Sequence, residues 1–246
     1  MAERLQKALA RAGLTSRREA DRWLAAGRLS VNGHSAEPGQ HVGPGDRIAL
    51  DGRVLLTVPE DTQTAATARV LAYHKPVGEL CTRRDPEGRP TVFDRLPAPA
   101  TGQWIQVGRL DLNTSGLLLL TTDGALANAL MHPAREVARE YRARVRGRPG
   151  TATLERLREG VPLEDGPARF DEVDVLPGKG RNAQLRVVLH EGRKREVRRL
   201  LEAVGHPVSR LLRVRYGPIR LPKDLGPGEW RELDREEVVE LRESVK

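Results

Sequence analysis

The chain has 246 residues, a net charge of +8 and a pI near 10.2, a length that fits one large domain or two unequal ones. Its single cysteine, Cys81, excludes an intramolecular disulfide and a four-cysteine zinc site, and no apolar run approaches the ~20 residues that span a bilayer. The N-terminal Met-Ala-Glu-Arg lacks the apolar core of a secretory signal, so the chain reads as a soluble cytoplasmic protein that buries its own core.

Leu5, Ala8, Leu9 and Ala12 fall at i, i+3, i+4 and i+7, which predicts a helix ended by Gly13. Ser16-Arg17-Arg18-Glu19 has capping-box spacing and opens a second helix, with Ala20, Trp23 and Leu24 on its apolar face and Gly27 as its stop. Leu29 to Val31 reads as a strand entering an Asn32-Gly33 turn, and Val42 to Leu50, broken by Gly43-Pro44-Gly45, as a second strand pair. Residues 1–56 are thus expected to form a small domain with basic helices. Residues 57–68 are small, polar and aperiodic, the composition of a linker.

Residues 69–246 mix the two periods. Arg69–Tyr73, Trp104–Val107, Leu117–Leu120, Glu140–Arg146 and Leu185–Leu189 read as strands, the third a fully buried one. Asp123 is placed to cap a helix through Leu130. Val197, Leu200, Leu201 and Val204 return to helical spacing, with Gly205 as stop, and Asp234-Arg235-Glu236-Glu237 caps a last helix carrying Val238 and Leu241. Strands and helices do not alternate strictly, which favours an α+β fold with much antiparallel pairing over a doubly wound sheet.

Only six of the 42 basic residues are Lys; the rest are Arg, whose forked guanidinium binds phosphate bidentately. The cations cluster in residues 1–28, 139–148, 193–199 and 210–220, a distribution that leans toward a nucleic-acid partner. Aromatic residues make up 3%, too few for rows of stacked bases. No Walker loop, dinucleotide fingerprint or His-Glu-x-x-His is present, and the six His show no metal-ligand spacing, so no metal or cofactor is expected. The segment GRLDLNTSGLLLLTTDG sets Asp111 in a polar loop ahead of a buried strand. Rigid strand ends can hold a catalytic group precisely, yet on pattern alone Asp111 reads as a turn-former.

The same segment resembles the signature of the bacterial pseudouridine synthases that modify ribosomal RNA. The resemblance covers the whole chain. RLQKALARAGLTSRREADRWLAAGRLSVNG is similar to the S-four-type (alpha-L) RNA-binding domain that precedes the catalytic domain in this branch. LAYHKPVGELCTRRDPEGRPTVFDRLP, AREYRARVRG and HEGRKREVRRLLEAVGHPVSRLLRVRYGPIRLP are similar to its further motifs. GELCTRRDPEGRPTVFDRLP together with GRLDLNTSGLLLLTTDG is most similar to the B group among the synthases of the large subunit. The resemblance implies a catalytic domain over residues 69–246, built on a mixed, largely antiparallel sheet with flanking helices.

It also implies the chemistry: isomerisation of a uridine within RNA, with no cofactor. Asp111 matches the carboxylate that works beside the sugar–base bond, as nucleophile or general base. A fixed arginine nearby favours its charged form, and the match is Arg198. Arg199 is the nearest competitor, set aside by motif register alone. Tyr141 matches the aromatic residue against the target base, although a core tyrosine fits its pattern equally well. Leu200 matches an apolar wall of the pocket. Arg109 matches the residue that fills the space left by the flipped base, and Lys75 a basic residue supporting the active-site loop. Arg17, Arg18 and Arg22, with Asn32 in the following turn, are expected at the RNA backbone. The expected partner is ribosomal RNA, 23S rather than 16S, met by a monomer with no membrane contact. A silent RNA-binding assembly factor is the alternative from another class, and the joint presence of Asp111, Tyr141 and Arg198 argues against it.

Overall fold

The computed structural model describes residues 2–59, 69–100 and 102–246; most of the expected linker, residues 60–68, lies outside the described residues. The chain divides into two compact units. The first comprises Met1–Arg69, Pro97–Ile105 and Thr122–Gly124; the second comprises Val70–Leu96, Gln106–Thr121 and Ala125–Lys246.

In the first unit, β1 (Glu3–Arg4) runs into α1 (Leu5–Arg11) and then α2 (Arg17–Ala25). Leu5, Ala8 and Leu9 are fully buried, and Gly13 takes a φ of +78° beyond the helix. Ser16 accepts a hydrogen bond from Glu19 N at 3.2 Å, but only this half of the capping box forms, because the Glu19 carboxylate pairs with Arg22 instead. The strands are β2 (Leu29–Val31), β3 (His34–Ser35), β4 (His41–Val42), β5 (Arg47–Leu50) and β6 (Arg53–Thr57). Asn32 and Gly33, both at positive φ, close the β2–β3 hairpin, and Asp51 and Gly52 do the same between β5 and β6. The expected pairing inside Val42–Leu50 does not occur. The bend that Asp46 Oδ2 fixes by accepting from Gly43 N at 2.7 Å turns β4 onto β1, whereas β5 joins β2 and β6. The core holds Leu5, Leu9, Leu24, Leu29, Ile48 and also Val58, just beyond β6. Gln103 of the Pro97–Ile105 segment donates to Gly13 O at 2.7 Å.

The second unit is built on a nine-stranded sheet. Its elements in chain order are β7 (Val70–Lys75), β8 (Ile105–Val107), β9 (Thr114–Thr121), α3 (Gly124–Met131), β10 (Arg139–Val145) and α4 (Thr151–Glu159). A two-stranded ribbon, β11 (Val161–Leu163) with β12 (Gly166–Ala168), stands apart from the sheet. Then come β13 (Glu172–Val175), β14 (Gln184–Leu189), α5 (Glu196–Ala203) and β15 (Val208–Tyr216). The chain ends with β16 (Ile219–Arg220), β17 (Trp230–Glu232) and α6 (Arg235–Glu243). The sheet order is β13-β14-β10-β15-β9-β7-β17, with β16 on β15 and β8 on β9. Every pairing whose register is defined is antiparallel except β9 with β15, so the sheet is mixed and largely antiparallel. Leu117 to Leu120 are all fully buried, as expected for a central strand covered on both faces.

The parallel β9–β15 contact rests on one glycine. A Cβ on Gly116, at φ +110°, would lie 2.2 Å from Arg213 O and 2.6 Å from Arg213 N. Only glycine lets the two backbones approach this closely.

Candidate active site

Asp111 lies in the short loop that leads into β9, and the four carbonyls of residues 111–114 all find donors. Lys75 Nζ, at the end of β7, donates to Asp111 O at 3.2 Å, to Thr114 O at 2.9 Å and to Pro76 O at 2.9 Å. Thr114 N also donates to Asp111 O, and Gly78 N donates to Leu112 O at 2.9 Å. Asn113 O accepts from Arg198 Nη2 at 2.8 Å, and Arg198 Nη1 reaches Val208 O at 3.1 Å. Below the loop, Leu110 N donates to the buried Cys81 Sγ at 3.4 Å. A loop whose carbonyls are all engaged, by donors from separate segments, has little freedom to move. The half-buried Asp111 carboxylate itself makes no hydrogen bond or ion pair among the described residues.

The electrostatics follow from burial. Lys75 is 0% exposed, and its loss of water pushes its pKa below the ordinary lysine value, opposed by Cys81, Glu79 and Asp111. Burial and the neighbouring Arg195 likewise lower the Arg198 guanidinium, while the charge of Asp111 opposes them. Asp111 thus acts on both cations through space. No Arg198–Asp111 ion pair forms within 4.0 Å among the described residues; the arginine holds the loop through its backbone.

Register adds a second observation. Tyr141 pairs with Arg213, Arg213 with Gly116, and Gly116 with Lys75. Directly paired residues face the same way, so Tyr141, Arg213 and Lys75 share one transverse row with a gap at the glycine. A register shift between Glu140 and Tyr141 re-aims the strand at that point. Arg213 carries no sequence signal of its own. It is 2% exposed, its Nε donates to Leu117 O at 2.8 Å, and its Nη2 has no partner among the described residues.

The other residues singled out from sequence divide clearly. Arg199, the competitor of Arg198, makes a bidentate pair with Asp165 at 2.8 and 2.9 Å. Leu200 is fully buried in the core beneath α5, and Arg109 is exposed beside the Asp111 loop. In the first unit Arg17 and Arg18 are exposed and make no ion pair among the described residues, whereas Arg22 pairs with Glu19 at 3.1 Å. Asn32 spends both ends of its amide within the fold: Nδ2 donates to Asp46 Oδ1 and Oδ1 accepts from Arg47 N, each at 2.8 Å. Its geometry is that of a turn brace. Among the described residues no group of three or more His, Cys, Asp or Glu could hold a metal ion, and no helix is long and apolar enough to cross a membrane.

This fold and motif arrangement define a class. Residues 69–203 match the model of the RNA pseudouridylate synthase family and residues 3–48 that of the S4 domain. The chain belongs to the RNA pseudouridylate synthase family. It is 58% identical over 248 positions to ribosomal large subunit pseudouridine synthase B of Escherichia coli (strain K12), covering 100% of this chain and 84% of that protein. The protein of the same name from Pseudomonas aeruginosa is 53% identical over 244 positions, covering 99% of this chain and 62% of its own length. A crystal structure of a pseudouridylate synthase superposes with a TM-score of 0.65 at 26% identity, covering 97% of this chain and 99% of that one.

Proposed function

We propose that this enzyme isomerises a specific uridine to pseudouridine in the 23S RNA of the large ribosomal subunit. In this reaction the bond from the sugar C1′ to the base N1 breaks, a bond from C1′ to C5 forms, C5 gives up its proton to water, and N1 takes up a proton in its place. Nothing is oxidised and no group leaves. Asp111 is the group that acts at the sugar–base bond. Its value lies in placement: the carboxylate stands on a loop whose four carbonyls are all bonded, while the carboxylate itself stays unengaged. That observation carries the reading.

Lys75 and Arg198 are positioning residues that also keep positive charge close to Asp111. Tyr141 lies against the target base, and Leu200 supports the pocket wall from the core. The base leaves its stack at a cost of a few kcal/mol, and Arg109, exposed beside Asp111, fills the vacated space. Residues 1–58 form the RNA-binding domain, since Thr57 ends β6 and Val58 packs in the core, later than the boundary at 56 expected from composition; the linker follows, and residues 69–246 form the catalytic domain. Arg17, Arg18 and Arg22 contact phosphates from α2 and supply affinity more than sequence reading. The enzyme works as a monomer in the cytoplasm, where its RNA resides.

The test is a pseudouridine map of ribosomal RNA from cells lacking the gene, complemented with wild type or Asp111→Asn. The expected result is loss of one 23S site, restored by wild type alone. Purified Asp111→Asn should keep its thermal midpoint within about 4 °C, since the carboxylate makes no hydrogen bond or ion pair among the described residues and reaches Lys75 and Arg198 only through space. Restoration by Asp111→Asn would remove Asp111 from the chemistry. An unchanged map in the deletion strain would remove the assignment to 23S RNA.

A further inference from the structure

One end of the nine-stranded sheet gathers positive charge that the site described above does not use. The C-terminal end of β10, the N-terminal end of β14 and the N-terminal end of β15 lie side by side there. The loops beyond them are tied into one surface. Val145 N donates to Ala183 O at 3.0 Å, Ala183 N to Gly147 O at 2.8 Å, and Arg146 N to Pro207 O at 3.1 Å. Gly147 N donates to Asn182 Oδ1 at 3.1 Å, and Ser209 Oγ to Arg144 O at 3.0 Å. This surface presents Arg144, Arg146, Lys179, Arg181 and Arg210, all exposed and none with an acidic partner among the described residues. Arg148 braces it by donating to Gly178 O at 2.8 Å and Gly180 O at 3.1 Å.

The arrangement is costly for the isolated fold. Arg144 and Arg210 are directly opposite across the β10–β15 ladder, a like-charge pair that destabilises a sheet. Elsewhere the chain offsets such charges. Arg186, for example, is surrounded by Glu140, Glu172 and Asp174. Here it does not, because residues 141–154, 175–190 and 203–223 contain no Asp or Glu in a chain that has 34 of them. A surface of unpaired cations on hydrogen-bonded strands and the loops beyond them matches a polyanion.

We propose that this end of the sheet is a second RNA-docking surface, distinct from the S4 domain, which grips the phosphate backbone of a double-helical segment flanking the target uridine. The proposal rests on the function proposed above and extends it to substrate geometry. No Phe, Tyr or Trp occurs in residues 144–149, 177–184 or 205–210, and the one aromatic ring there, His206, is tied through Nδ1 to Arg146 O, so an unpaired strand finds no row of stacking platforms. Duplex RNA, by contrast, is held by shape and by backbone contacts. The surface also adjoins the candidate site. Val208, which opens β15, gives its carbonyl to Arg198, and Arg198 holds the Asp111 loop through Asn113. A duplex seated on Arg210 and Arg144 thus lies next to the strand whose start is tied to the catalytic loop.

The test uses the full chain with Arg144, Arg146 and Arg210 changed together to Gln, and a second triple variant with Lys at the same positions. Binding to a 20-base-pair RNA duplex, to a 20-nucleotide single strand and to transcribed 23S RNA is measured across a salt series. For the Gln variant we expect duplex and 23S affinity to fall about 10–100-fold and the salt slope to drop by about 2–3, with single-strand binding little changed. The turnover rate at saturating RNA should stay within about twofold, and the Lys variant should recover most of the affinity. Unchanged duplex affinity and slope in the Gln variant would overturn the proposal. So would an equal loss for duplex and single strand, which means a generic charge effect. If duplex binding changes as expected while no RNA is isomerised by wild type, the surface stands and the proposed reaction falls.

Discussion

Lys75→Met tests the reasoning about the Asp111 loop most directly. Methionine is close in volume and apolar, so the core stays filled while the three donated hydrogen bonds vanish. Asp111 O keeps its bond from Thr114 N, but Pro76 O and Thr114 O lose the donor that Lys75 supplied. A buried carbonyl left unpaired costs about 1–3 kcal/mol. Relief from burying an ammonium offsets part of this, and the net loss of stability is about 2–4 kcal/mol. For a domain of this size the thermal midpoint falls by about 5–15 °C. The larger effect is on catalysis. Freed of Lys75, the loop shifts by something like an ångström, a displacement that lowers the rate about 100-fold. Because Lys75 is 0% exposed and cannot touch RNA, KM should change less than threefold or so. The assay is release of tritium from C5-labelled uridine in transcribed 23S RNA, over a range of RNA concentrations, alongside thermal denaturation. A turnover rate within about twofold of wild type, with an unchanged midpoint, would refute the idea that this lysine fixes the site.

Arg198→Lys should lower turnover about 10–100-fold, because the guanidinium meets Val208 O and Asn113 O with two separate nitrogens, a fork that the single nitrogen on lysine's shorter stem does not reproduce, whereas Arg199→Gln should leave it within about twofold. Equal losses in both would contradict the separation that the structure makes between the two arginines. Gly116→Ala should destabilise the second unit by more than about 4 kcal/mol, since the new Cβ meets the Arg213 backbone at 2.2 Å and the φ of +110° is itself strained. A soluble variant with a wild-type denaturation midpoint would rule out that close approach. At α6, Glu237 closes a capping box with Asp234 and pairs with Arg231, which holds its carboxyl below the ordinary 4.5. A depressed acid stabilises the fold above its unfolded pKa and loses that contribution as pH falls through the folded one. Glu237→Gln should thus cost about 1 kcal/mol at pH 7 and progressively less as the pH falls through the folded pKa of Glu237, read from denaturant midpoints across an acid pH series.

What the residues determine alone is what acts over a few positions of chain. The spacing of Leu5, Ala8 and Leu9 makes one face of α1, Ser16 and Asp234 cap α2 and α6, and Asn32-Gly33 turns a hairpin. The run Leu117–Leu120 announces a buried strand, and the alternation around Tyr141 another. The motif around Asp111 marks the loop before β9. Beyond that range the sequence loses its hold. β15 is legible only as a basic stretch, because its buried Arg213 breaks the polar-out pattern that betrays a half-buried strand. The parallel pairing of β9 with β15 joins residues nearly a hundred positions apart, and nothing local encodes it. Arg198 and Arg199 are equivalent by composition; they part only because α5 turns one toward Asn113 and the other toward Asp165. Lys75 fits a plain salt bridge on sequence alone, until strands on both sides close over it and backbone carbonyls replace its water. Local propensity depends on a residue's near neighbours, whereas burial and the pairing of charges depend on which distant segments pack together. For that reason candidates such as Asp111, Tyr141 and Arg198 could be proposed from the sequence, while Arg213 and the contacts that fix Asp111 in place belong to the tertiary structure.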